Sequence, residues 1–202
     1  MKINPENFIV NEKLFLNYKS FFISGNDESY IFALKDILVK KFLKKGFVKK
    51  NLIDKAAMAP DLFKIKNKYI YVCEKYIDDG LVEEIEKNQD VLIFCEKTST
   101  KNKPIKQFFS KAKSRALLEC YELDKSRKKN ILNGFIKRSG LVFENSTYWF
   151  LLDLLDNRFA ILNKELEKIS LLNNKNDTAE LASALIGDQS ADANKFFFKI
   201  QL

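Results

Sequence analysis

The sequence predicts an α/β fold: a parallel sheet covered by helices on both faces over residues 1–140, then a small all-helical domain over 141–202. Three observations predict it. Short, uninterrupted apolar runs recur along the first part and alternate with stretches of helical periodicity, as in a sheet buried on both sides. After Gly140 the alternation stops and every periodic stretch reads as helix. The charge changes at the same point: residues 1–140 carry 29 basic and 18 acidic groups, a net +11, and residues 141–202 carry 6 and 9, a net −3.

Asn4 and Pro5 read as the cap and first residue of a helix running to about Leu16. Ser20–Ser24 is a buried strand closed by Gly25. Asn26 or Asp27 caps a helix from about Glu28 to Lys45, with Ile31, Leu34, Leu38 and Phe42 on one stripe and Gly46 as its stop. Phe47 and Val48 are weakly extended, and residues 53–63 read as helix. Three strand–helix repeats follow: strands at 69–73, 91–95 and 116–120, helices at 79–88, 102–113 and 125–139. The segments 145–155, 158–172 and 177–186 complete the chain as helices, the second with Phe159, Leu162, Leu166 and Ile169 at helix spacing.

Composition bounds the chemistry. The 202 residues include no histidine, which removes imidazole acid–base catalysis, Ser-His-Asp and Cys-His nucleophiles and histidine-ligated metals. The formal charge of +8 rests on 31 lysines and only 4 arginines, beside 18 asparagines. Base-reading surfaces lean on arginine, so this balance fits either a solvated lysine-rich surface or sequence-independent contact with a polyanion. Contact with DNA backbone falls to the basic first part, with Lys101, Lys103, Lys106, Lys111 and Lys113 as candidates. Cys73, Cys95 and Cys120 each end an apolar strand without CxxC spacing, and read as buried, reduced thiols. With no apolar leader after Met1 and no run of roughly 18 apolar residues, the expectation is a cytoplasmic protein without a membrane partner.

The strand–glycine–helix unit at 20–30 stands where a phosphate-binding loop would sit. Such a loop needs two glycines, a lysine and a hydroxyl in the order GxxxxGK[ST], so that backbone N–H groups, an ammonium and a magnesium ligand converge on the phosphates. Ser24–Ser29 has one glycine, no lysine and two carboxylates, so no nucleotide cofactor and no ATPase activity are expected. The strand at 91–95 brings Glu96 but no Asp-Glu pair for magnesium. Asp78-Asp79 opens a helix, where negative charge is favourable on dipole grounds alone. Lys125, Arg127, Lys128, Lys129, Lys137 and Arg138 bracket an apolar helix face, and read as snorkelling side chains or as DNA-backbone contacts.

Four stretches, in order, resemble the delta subunit family of the bacterial DNA polymerase III sliding-clamp loader. They are FFISGNDESYI at 21–31, AAMAPDLFKIKNKYIYV at 56–72, the run from DVLIF through RALLECYELD to KRSGLVF between 90 and 143, and KELEKISLL at 164–172 followed by ALIGD at 184–188. The resemblance implies an AAA+/RecA-like sheet domain lacking a functional P-loop, followed by a helical lid. It implies a subunit that hydrolyses no ATP, binds the sliding clamp and opens or holds open its ring during DNA replication. Its partners would be the clamp, the ATPase and delta-prime subunits, and primed DNA through the polymerase complex, a nucleotidyltransferase holoenzyme. It places the clamp-binding dipeptide on Leu62 and Phe63, which follow Pro60 and the small residues Ala56, Ala57 and Ala59. On pattern alone the alternative is that the same two side chains fold back onto the sheet as core. The family's third, collar domain has no counterpart within these 202 residues. A degenerate P-loop or AAA+ adaptor in DNA processing is the alternative role.

Overall fold

The structure is a computed structural model that describes residues 2–11, 13–51, 68–74, 77–97, 103–172, 181 and 185. Its strands are β1 (Lys2–Ile3), β2 (Ser20–Gly25), β3 (Val48–Asn51), β4 (Tyr69–Cys73), β5 (Val91–Lys97) and β6 (Arg115–Cys120). Its helices are α1 (Glu6–Val10), α2 (Glu28–Leu43), α3 (Asp79–Lys87), α4 (Lys103–Lys111), α5 (Lys125–Ser139), α6 (Asn145–Leu154) and α7 (Phe159–Leu171). The expected helix at 53–63 lies outside the described residues. So does that at 177–186, except for Leu181 and Leu185, both helical and buried.

Among the described residues all strand pairs are parallel, in the order β1-β6-β2-β5-β4-β3. Every residue of β2 is buried, as its unbroken apolar run requires of a central strand. Side chains alternate across a strand, so Phe21 and Phe22 face opposite layers. Phe21 packs edge-on against Phe8 of α1 and Phe42 of α2, with centroids 5.8 Å apart in each pair. Phe22 stacks on Phe94 at 4.9 Å and meets Phe109 of α4 at 5.6 Å. Val82 and Ile85 of α3 join that second cluster. The sheet is therefore covered on both faces, as expected.

The cap read at Asp27 acts as expected, and the structure adds caps at Asp78 and Asp124. Asp27 Oδ1 accepts from the Tyr30 N–H at 2.9 Å, Asp78 Oδ1 from Leu81 at 2.9 Å, and Asp124 Oδ1 from Arg127 at 2.8 Å, capping α2, α3 and α5. The first helix departs from expectation. The helix read from Pro5 to Leu16 ends at Val10, and a 3-10 turn follows at Leu14–Asn17. Asn11 is the cause: its Oδ1 accepts from the N–H groups of Lys13 and Leu14 at 3.0 and 3.2 Å, a side-chain turn that competes with the helix. Asn4 makes no side-chain cap either; Pro5 occupies the cap position.

The chain forms two compact units, Met1–Tyr121 and Glu122–Leu202. The boundary thus precedes α5 rather than following it at Gly140, where the change in charge and periodicity placed it. The helix belongs with the second unit because residues on it bind there, one buried and one at the surface. Lys128, buried on α5, donates from Nζ to the Leu155 carbonyl at 2.8 Å, and Tyr148 donates to Asn133 Oδ1 at 2.8 Å. Among the described residues no helix is long and apolar enough to cross a membrane.

Candidate functional site

In an open α/β sheet, ligands bind beyond the carboxyl ends of the strands where the strand order reverses. Here that point lies at the end of β2: the chain leaves β2 toward β3, fills back through β4 and β5, and then crosses to β6 on the other side. The turn at this point is short. Only Asn26 and Asp27 separate Gly25, the last residue of β2, from Glu28, the first of α2.

Two contacts define the turn. A Cβ added at Gly25 would lie 1.8 Å from the Cys120 carbonyl oxygen and 2.6 Å from its carbon. Glycine is therefore required by the close approach of the β2 and β6 backbones, whose register pairs Gly25 with Cys120. Beyond it, the Asp27 N–H donates to the Cys120 carbonyl at 3.2 Å. Asp27 Oδ1 then takes the Tyr30 N–H and, at 2.6 Å, the Ser29 hydroxyl. The amino end of α2, where an anion would otherwise be bound, is capped by the protein's own carboxylate.

A cleft of about 300 Å³ opens beside the turn, lined by Glu28, Ile31 and Phe32 of α2, Glu74, and Cys95, Glu96 and Lys97 of β5. Its charges are largely paired. Lys97 meets Glu28 at 3.0 Å, and Lys35 donates to Glu74 at 2.8 Å. Glu96 has no ion-pairing partner among the described residues, and burial raises its pKa above the ordinary carboxylate value. Burial also pushes the Cys95 thiol up to about 12, too high for a nucleophile at neutral pH. A phosphate entering this cleft meets three carboxylates and one lysine already bound to one of them.

On the other side of β2, Glu119 of β6 takes hydrogen bonds from Lys106 at 2.9 Å and Lys2 at 2.6 Å. Burial alone would raise the Glu119 pKa. The two lysines outweigh it and hold the carboxyl below its usual value, while the carboxylate holds Lys2 above its own.

The expected contact residues are distributed unevenly. Leu62, Phe63 and Lys101 lie outside the described residues. Lys103 and Lys111 are exposed at the two ends of α4, about 12 Å apart along the axis. Lys113 is exposed in the turn before β6, and Lys106 is tied to Glu119. On α5, Lys128 turns inward, which the basic run around it concealed. Burial lowers its pKa, opposed by the charges of Asp153, Asp156 and Glu165. Arg115 and Glu86, unremarkable in the sequence, form a mostly buried pair at 2.9 and 3.1 Å, with the Ser20 hydroxyl on the same carboxylate at 2.7 Å.

No protein-family model matches the chain, and no curated protein matches it. Solved structures do. The Bacillus subtilis DNA clamp loader delta protein YqeN is similar over 89% of this chain and 62% of its own, at 10% identity and a TM-score of 0.54. Domain III of the Thermotoga maritima replication initiation protein DnaA is similar over 91% and 92%, at 12% identity and a TM-score of 0.44. The Thermotoga maritima RuvB Holliday junction branch migration motor is similar over 90% and 66%, at 12% identity and a TM-score of 0.43. The chain thus spans less than two thirds of the clamp loader delta protein's length. At this identity the likeness establishes a fold: a parallel six-stranded sheet with helices, arranged as in that delta protein.

Proposed function

We propose that this chain is a non-catalytic clamp-loader subunit that binds the sliding clamp and opens or holds open its ring during DNA replication. The observation that carries the reading is the β2–α2 turn set within a fold like that of a clamp loader delta protein. At the position where a relative of such a fold would cradle phosphates, the chain has a two-residue turn, a helix capped by Asp27 and a carboxylate-lined cleft. A subunit that works by binding rather than by hydrolysis needs no more than this. The order of the four sequence stretches supports the same reading.

In this mechanism Leu62 and Phe63 are the anchor. An apolar side chain buried in a pocket on the clamp contributes about 1.5–3 kcal/mol, and such anchors dominate an interface. Binding that fits the open ring better than the closed one shifts the ring's equilibrium without chemistry. The basic first unit then lies against primed DNA held by the complex, through phosphate contacts that carry no base preference.

The test is binding to the sliding clamp of the same organism, measured on a surface or by pull-down, beside calorimetry with ATP and magnesium. Leu62→Ala with Phe63→Ala should weaken clamp binding by about two orders of magnitude and leave thermal unfolding nearly unchanged. Tight, magnesium-dependent ATP binding would overturn the non-catalytic assignment. Loss of folding in the double variant would return the dipeptide to the core.

A further inference from the structure

Trp149 is the single tryptophan of these 202 residues, on α6, and the residue is 43% exposed. Two helical ladders set its place. Lys125, Lys129 and Asn133 follow one another at four-residue spacing on α5, and Trp149 and Asp153 do so on α6. The Tyr148–Asn133 hydrogen bond ties the two helices together, and the Tyr148 ring braces the indole edge-on, centroids 5.4 Å apart at 86°. The ammonium groups of Lys129 and Lys125 lie 5.3 and 5.9 Å from the indole centroid, near the outer limit of a cation–π contact. Lys125 is neutralised by Asp153 at 2.7 Å, whereas Lys129 has no carboxylate partner among the described residues.

We propose that this surface binds single-stranded nucleic acid, with a base stacked on Trp149 and the adjoining phosphate held by Lys129. A braced, partly exposed indole beside one cation without a carboxylate partner among the described residues is the combination that single strands use, because their bases have free faces and their phosphates follow at each step. Duplex DNA presents no free base face. An acidic peptide would use the lysine but gain nothing from the indole. The inference does not rest on the clamp-binding reading, whose residues lie elsewhere in the chain.

The test uses the full chain and a labelled oligo-dT of about 15 nucleotides at low salt. Emission from Trp149 should be quenched saturably, and an abasic strand with the same phosphates should bind several-fold more weakly without quenching. Trp149→Ala should weaken oligo-dT binding roughly ten-fold by anisotropy, while Trp149→Phe retains most of it. Lys129→Gln should lower the slope of log affinity against log salt by about one. Equal binding of the oligo-dT and abasic strands would overturn the proposal. So would equal quenching by poly-glutamate, or an absence of quenching. If the alanine variant fails to fold, the abasic comparison on the native protein and on Trp149→Phe decides the matter.

Discussion

Replacing Gly25 by alanine tests what the glycine at the end of β2 is for. If it were only the remnant of a phosphate loop, alanine would cost the folded protein little. The structure predicts otherwise. The new Cβ would stand 1.8 Å from the Cys120 oxygen, against about 3.4 Å for an ordinary contact, so the two backbones must part by about 1.6 Å. Both strands are central and buried, and neither can move far without disturbing the layers on each face. The hydrogen bond from Asp27 to the Cys120 carbonyl, 3.2 Å long, is lost at that separation. An unsatisfied buried backbone group costs about 1–3 kcal/mol. With the accompanying strain the loss comes to about 3–5 kcal/mol, in the range of the most damaging single substitutions. For a chain of this size that lowers the melting temperature by about 6–20 °C. Gly46→Ala is the control. Its φ is +83°, but a Cβ there meets nothing within 4 Å, so only the left-handed backbone is penalised. That costs about 1 kcal/mol, or 2–4 °C. Thermal unfolding followed by circular dichroism at neutral pH separates the two. A Gly25→Ala protein melting within about 3 °C of the wild type, or above Gly46→Ala, would refute the close-approach argument.

Three further outcomes are expected. The carboxyl of Glu119 has a folded pKa below its unfolded value of about 4.5, so its contribution to stability is present above that value and lost as pH falls through the folded one; Glu119→Gln should cost about 1 kcal/mol at pH 7, with the difference vanishing in urea titrations near pH 3. Arg115→Met leaves the Glu86 carboxylate mostly buried with only the Ser20 hydroxyl, and should cost about 2–3 kcal/mol; adding Glu86→Met should recover part of it, and a fully additive pair would show that the two side chains are not coupled. Cys73, Cys95 and Cys120 are all buried, so none should react with a thiol reagent at pH 8 until the protein is denatured, when all three should.

Much of the fold was legible because its signals are short-range. The strands at 69–73, 91–95 and 116–120 are short, mainly apolar runs between stretches of helical periodicity, as a sheet buried on both faces requires, and all three formed. Asp27, Gly46 and Gly140 act on backbone groups within a few residues of themselves, so their effect is written locally. The reading of Ser24–Ser29 as a turn without lysine or a second glycine is likewise a matter of residue identity. Leu62 and Phe63, the sharpest candidates, rest on sequence resemblance.

What required the tertiary structure depends on residues distant in the chain. Lys2 and Ile3 have no periodicity to read; they are a strand only because Leu117 and Leu118 lie alongside. The need for glycine at position 25 comes from a carbonyl 95 residues later. Lys106 and Lys128 look like neighbouring lysines until Glu119 binds one and the Leu155 carbonyl draws the other inside. The domain boundary moved for the same reason: α5 follows the sheet in sequence but binds the helices after it. Periodicity and capping are energies between residues a turn apart, so one sequence window contains them. Strand pairing, close backbone approach and ion pairing act between surfaces that only folding brings together.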